Sequence, residues 1–83
     1  MFFDNGRDEL YTVLFFEADD RVGLLHDVLT TLAHCRVNVT HAIITTESGR
    51  AGDVFYLTDL DGQKLVSAAR IQHIREHILQ ALH

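Results

Sequence analysis

The chain has 83 residues, enough for one hydrophobic core and no second. With 47% hydrophobic and 23% charged residues it has ordinary globular composition, which argues against a disordered chain. A formal net charge of −5, with Lys64 the only lysine, argues against a nucleic-acid partner, because binding to phosphate backbones needs the opposite balance.

A chain this short hides only about 60% of its unfolded surface on folding, so a partner is expected to complete it. The single cysteine, Cys35, cannot close an internal disulfide, which suits a reducing compartment. No signal peptide is visible, and apolar runs such as Val13–Phe16 are far too short to span a bilayer. The expectation is a cytoplasmic single domain over residues 1–83, with 1–9 as an N-terminal segment and no membrane contact.

Met1–Phe3 is apolar and runs into Asp4-Asn5-Gly6, a turn signal. It reads either as a short edge strand or as a loose terminus. Leu10–Ala18 is rich in aromatic and β-branched residues and predicts a strand that is apolar on both parities: Tyr11, Val13 and Phe15 against Leu10, Leu14 and Phe16. Asp19–Gly23 interrupts it. Leu24–Cys35 has helical period, with Leu25, Val28, Leu29 and Leu32 as the buried stripe and Asp19 or Asp20 as the N-cap. Val37–Thr46 predicts a second strand, Glu47–Arg50 a hairpin connection and Ala51–Asp59 a third strand, with Val54 and Tyr56 opposed to Phe55 and Leu57. Asp61-Gly62 marks a turn, Ser67 caps a last helix, and Ile71, Ile74, Ile78 and Leu82 form its buried stripe.

The order β-α-β-β-α is a split βαβ pattern, an α+β ferredoxin-like fold without its final strand. Right-handed crossovers put both helices on one face of the antiparallel sheet. The N-terminal strand, if formed, replaces the missing one. Strands apolar on both sides leave a sheet face or an edge to be covered, and a second copy of the domain or a neighbour is the expected cover.

Asp20-Arg21-Val22-Gly23-Leu24-Leu25, followed by Val37-Asn38-Val39, resembles the turn and strand start of ACT domains, small regulatory modules of this fold. The resemblance runs from about Leu10 to Leu82. Phe3–Asn5, Tyr11–Leu14, Asp20–Val28 and Gly52–Leu65 are similar to the C-terminal ACT domains of the bifunctional uridylyltransferase/uridylyl-removing enzyme, which modifies the PII nitrogen-signalling protein, and to ACT-repeat proteins. One departure is Val22, where that family usually has proline. The resemblance implies a regulatory, non-catalytic module of nitrogen metabolism that binds a small amino acid between paired domains, with glutamine the effector of the nearest branch. It also implies ligand contacts at Asp20 and Asn38, often across a domain interface.

The residues themselves support a modest site. Gly23 lets backbone approach a ligand, and the amides of Val22, Gly23 and Leu24 at a helix N-terminus favour a carboxylate. Asp19 and Asp20 can hold an ammonium group, and Asn38 offers both donor and acceptor. The plainer readings are an N-cap for Asp20, close helix–sheet packing for Gly23 and corner satisfaction for Asn38.

Three other chemistries compete. His73-Ile74-Arg75-Glu76-His77 matches an inverted zinc-protease motif, but the helix needs its isoleucines for the core and Glu76 points away, so no metal site is expected and the histidines read as solvated. An RNA-recognition reading would use Phe15, Phe16, Phe55 and Tyr56, but the basic run it needs is absent. Cys35 and His34, adjacent on a helix, do not face each other as a catalytic pair. No cofactor is implied. The chain is expected to be a homo-oligomeric regulatory domain, and the alternative is a dimerisation or scaffolding module without ligand.

Overall fold

Six elements form along the chain: β1 (Phe2–Asp4), β2 (Thr12–Asp19), α1 (Leu24–His34), β3 (Asn38–Glu47), β4 (Arg50–Thr58) and α2 (Ala68–Ala81). The structure is a computed structural model that describes residues 1–19 and 22–82, with the side chains of residues 46, 47, 50 and 51 left aside. The strands make one sheet in the order β1-β2-β4-β3, every neighbouring pair antiparallel. β2 and β3 therefore run the same way with β4 between them, which is the split βαβ arrangement of a ferredoxin-like fold. β1 lies beside β2, with Phe3 opposite Leu14, and takes the position that a final strand would otherwise fill.

Period two along the strands separates the two faces. Leu14 and Phe16 of β2 and Phe55 and Leu57 of β4 point toward the helices. There they meet Leu24, Val28 and Leu32 of α1 and Ile74 and Ile78 of α2 in one buried cluster. Each such side chain, fully buried, contributes about 1.5–3 kcal/mol. The opposite parity builds a face with no helix on it, where Phe2, Phe15, Val54 and Ile43 align in one row across all four strands. A β-bulge between Val39 and His41 flips the parity of β3 and sets His41 and Ile43 on this open face.

Three expectations are corrected. Leu10 and Tyr11 precede β2, and Leu10 is exposed. The buried stripe of α1 is Leu24, Val28 and Leu32, while Leu25 and Leu29 stay 37% and 36% exposed. The helix is rotated so that a strict i, i+4, i+8 line meets the sheet. The N-cap of α1 is Gly23, at φ 82 and ψ 0, with no side-chain cap, so neither Asp19 nor Asp20 occupies that position. A left-handed glycine turns the chain into the helix within the short connection, a conformation that other residues adopt at a cost.

The remaining turns follow sequence chemistry. Ser48 and Gly49 both have positive φ, 54 and 79, the geometry of a two-residue hairpin turn matched to strand twist. Asp59 Oδ1 accepts from the amides of Asp61 and Gln63, both at 2.9 Å, and closes the turn around Gly62. Ser67 Oγ accepts from the Arg70 amide at 3.2 Å and caps α2 as expected.

β1 is held by side-chain chemistry rather than by its length. Asn5 Nδ2 donates to the Leu65 carbonyl at 2.8 Å, and Asn5 Oδ1 accepts from the buried Thr12 hydroxyl. That hydroxyl in turn accepts from the Leu65 amide at 2.8 Å, and Lys64 Nζ donates to the Asn5 carbonyl at 2.8 Å. Arg75 of α2 stacks over the Phe3 ring at 5.3 Å, closing the same corner from the helix side.

Candidate functional site

The turn between β2 and α1 carries most of the residues nominated from sequence. Asp19 closes β2 with its backbone opposite Arg50, and its side chain is exposed. Val22 is fully exposed, Gly23 caps the helix in its left-handed conformation, and Leu24 is buried and anchors the turn to the core. The Gly23 carbonyl accepts the first helical bond, from the Asp27 amide at 2.9 Å. Asp20, the remaining nominated acid, lies outside the described residues, as does Arg21. A Cβ on Gly23 would meet nothing within 4 Å, so the turn is open to solvent above the glycine.

Asn38 lies elsewhere. It is the first residue of β3, exposed, and its Nδ2 donates to the Asp59 carbonyl at 3.4 Å. Its register partner is Thr58, at the end of the sheet where β4 finishes, whereas Asp19 pairs with Arg50, where β4 begins. The 11 residues of α1 separate the two places, about 16 Å at 1.5 Å per residue. One copy of the chain therefore does not bring Asn38 to the turn.

The outer edge of β3 is bounded by residues that sequence reading did not single out as a surface. β3 is 10 residues long and ends the sheet order, with Ile43 54% and Ile44 45% exposed on its two faces. α1 packs over β3 and presents Leu25 and Leu29 on its exposed flank. The signal was available in the sequence, since two leucines beyond those a single stripe needs are surplus to a one-sided helix.

The open face is partly closed by its own side chains. The rings of Tyr11, Tyr56 and His41 contact one another at centroid distances of 5.8 to 6.1 Å, Arg7 stacks over Phe15 at 4.9 Å, and Val13 beneath them is completely buried. Beside them a shallow concavity of about 380 Å³ is bordered by Met1, Phe2, Phe15, Glu17 and Val54. The aromatic set of the RNA-recognition reading is split, because Phe16 and Phe55 belong to the buried core and only Phe15 and Tyr56 face outward.

At the far end of α1 the chain does bring distant residues together. Cys35, half-buried at the C-cap, lies beside His73 and His77 on α2, whose rings are 4.1 Å apart at their centroids. Burial pushes the Cys35 thiol pKa up, and the Arg70 guanidinium pulls it partly back. Glu76 accepts from Gln72 on the exposed side of α2 and takes no part in that group.

The ACT domain family profile matches residues 12–83, from the start of β2 to the end of the chain. The chain belongs to the ACT domain family. ACT domains are regulatory and non-catalytic. The chain is similar to the bifunctional uridylyltransferase/uridylyl-removing enzyme of Gluconobacter oxydans, 40% identical over 79 residues that cover 95% of this chain and 8% of the enzyme. The Zymomonas mobilis enzyme of the same name is 37% identical over 81 residues, 98% of this chain and 9% of the enzyme. That of Cereibacter sphaeroides is 34% identical over 80 residues, 96% of this chain and 9% of the enzyme. This ACT domain therefore spans less than a tenth of the length of these relatives. No solved structure matched it. Among the described residues no helix is long and apolar enough to cross a membrane.

Proposed function

We propose that this ACT domain is a sensor of a small amino acid, glutamine in the first instance, that works as a pair of copies joined along β3. The observation that carries this reading is the separation of Asn38 from the β2–α1 turn by the length of α1. A two-fold antiparallel pairing of β3 edges, centred between Ala42 and Ile43, sets Asn38 of one copy beside the end of β3 in the other, next to that copy's Val22–Leu24 turn. Each ligand pocket is then built from two chains. The turn supplies helix-terminal amides for the carboxylate, Asp19 and Asp20 supply acceptors for the ammonium group, and Asn38 of the second copy reads the side chain.

The same pairing covers the surplus apolar surface, because Leu25 and Leu29 of α1 and Ile44 of β3 lie along the bare edge. Ligand bound between two copies favours the arrangement in which both halves of the pocket meet. Its differential affinity, typically 1–3 kcal/mol in such systems, is the regulatory signal. In a longer protein of the kind its relatives represent, a uridylyltransferase or uridylyl-removing unit would read that signal. Val22 replaces the stiff proline of the family, so the turn relies on Gly23 for its shape.

A second reading, a dimerisation module without ligand, is favoured by the same edge, since pairing needs no small molecule to bury it. Calorimetric titration of the chain with glutamine, glutamate and a panel of other amino acids separates the two. Saturable heat with glutamine that is lost in Asn38→Ala supports sensing. A stable dimer by sedimentation with no heat across the panel supports scaffolding.

A further inference from the structure

We propose that Cys35, His73 and His77 form a Cys-His₂ site for a zinc-class divalent metal ion that staples the end of α1 to α2. One ligand atom from each of the three residues lies within 4.8 Å of the other two. With metal–sulfur and metal–nitrogen bonds of about 2.3 and 2.0–2.1 Å, tetrahedral ligands sit ~3.3–3.7 Å apart, so the set is within about 1.5 Å of closing on an ion. A thiolate with two imidazoles is the donor set that suits zinc.

The backbone holds each ligand independently of any metal. Cys35 sits inside a Schellman motif: the Val37 amide bonds the Leu32 carbonyl and the Arg36 amide bonds the Ala33 carbonyl, both at 3.0 Å, with Arg36 at φ 61. Arg70 Nη2 donates to the Arg36 carbonyl at 2.8 Å and to the Cys35 carbonyl at 3.4 Å, fastening this corner to α2. His73 and His77 are one helical turn apart, so their rings share a face. His77 Nδ1 lies 2.9 Å from the His73 carbonyl. A donating Nδ1–H there leaves the lone pair on Nε2, and such a second contact commonly fixes the tautomer of a metal-bound histidine.

On binding, the Cys35 S–H bond is replaced by an S–metal bond and the proton passes to solvent. Both histidines are exposed, so the fourth position opens to water. The site lies at the opposite end of α1 from the amino-acid turn, and neither requires the other.

Titration of the reduced full chain with Co²⁺, followed by displacement with Zn²⁺, tests the proposal. The expected result is one ion per chain, intense tetrahedral ligand-field bands and a thiolate-to-cobalt charge-transfer band. The charge-transfer band should vanish in Cys35→Ser. Affinity should fall at least tenfold in His73→Ala and in His77→Ala, and stay unchanged in His26→Ala. No charge-transfer band at saturating Co²⁺, or histidine variants that bind as the parent does, would overturn it. If Cys35→Ser does not fold, the two exposed histidine positions carry the test, with thermal melts of the metal-free variants confirming their folds.

Discussion

The two edges of the sheet are finished in opposite ways. At one, β1 is three residues long, and Asn5, Thr12 and Leu65 lock it down through a partly buried hydrogen-bond chain. Short strands of this kind blunt an edge against further pairing. At the other, β3 runs for 10 residues with Ile43 and Ile44 exposed and two leucines of α1 alongside. Dedicated side chains close the short border, and among the described residues the longer border carries no further strand. The pairing proposed above would use that bare border.

The largest expected effect breaks the closed edge. Asn5→Ala removes the partners of the Thr12 hydroxyl and the Leu65 carbonyl in a corner that water does not reach freely. It is expected to cost about 2–3 kcal/mol, read as a lower urea midpoint at unchanged slope. With β1 loosened the second edge also becomes bare, so sedimentation should show assemblies larger than the parent forms. A variant that stays as stable and as small as the parent would mean that the asymmetry does not reside in Asn5.

A smaller effect is expected at the open edge, and there it should appear in association rather than in folding. Ile43→Lys combined with Ile44→Lys places charge on both faces of β3. Folding stability should change by only about 0.5 kcal/mol per site because these side chains are about half exposed. Self-association should weaken tenfold or more, about 1.4 kcal/mol, by sedimentation equilibrium. The smallest effect sharpens the comparison from the closed side. Ser67→Ala removes the cap of α2 just after the segment that Asn5 grips. It is expected to cost about 1 kcal/mol of stability while leaving self-association where it was.

Much of the fold was legible because its signals are local. The two-residue hairpin at Ser48-Gly49, the Ser67 cap, the parity of Phe55 and Leu57 and the isoleucine stripe of α2 all lie within a few residues of what they determine. The apolar run before a turn at the N-terminus allowed either an edge strand or a loose terminus, and the structure selects the strand. The start of α1 misled. Two aspartates before a helix are the usual caps, but the chain turns through Gly23 instead. The stripe of α1 misled as well, because Leu24, Leu25, Val28, Leu29 and Leu32 fit two overlapping periodic lines. Only the tilt of the helix on the sheet selects one of them.

The candidate sites divide along the same line. The glycine turn after β2 is a short-range feature and could be read from the chain. The distance between that turn and Asn38, the grip of Asn5 on Leu65 and the meeting of Cys35 with His73 and His77 depend on how helices and strands are laid against one another. Sequence by itself determined which segments become strands and helices and which sides of them are apolar, because those properties follow from neighbours one to four residues apart. Tertiary structure alone decided which edge stays open, which leucines remain at the surface and which distant side chains share a corner. Those outcomes come from packing two helices onto one side of a four-stranded sheet, a constraint that no local pattern encodes.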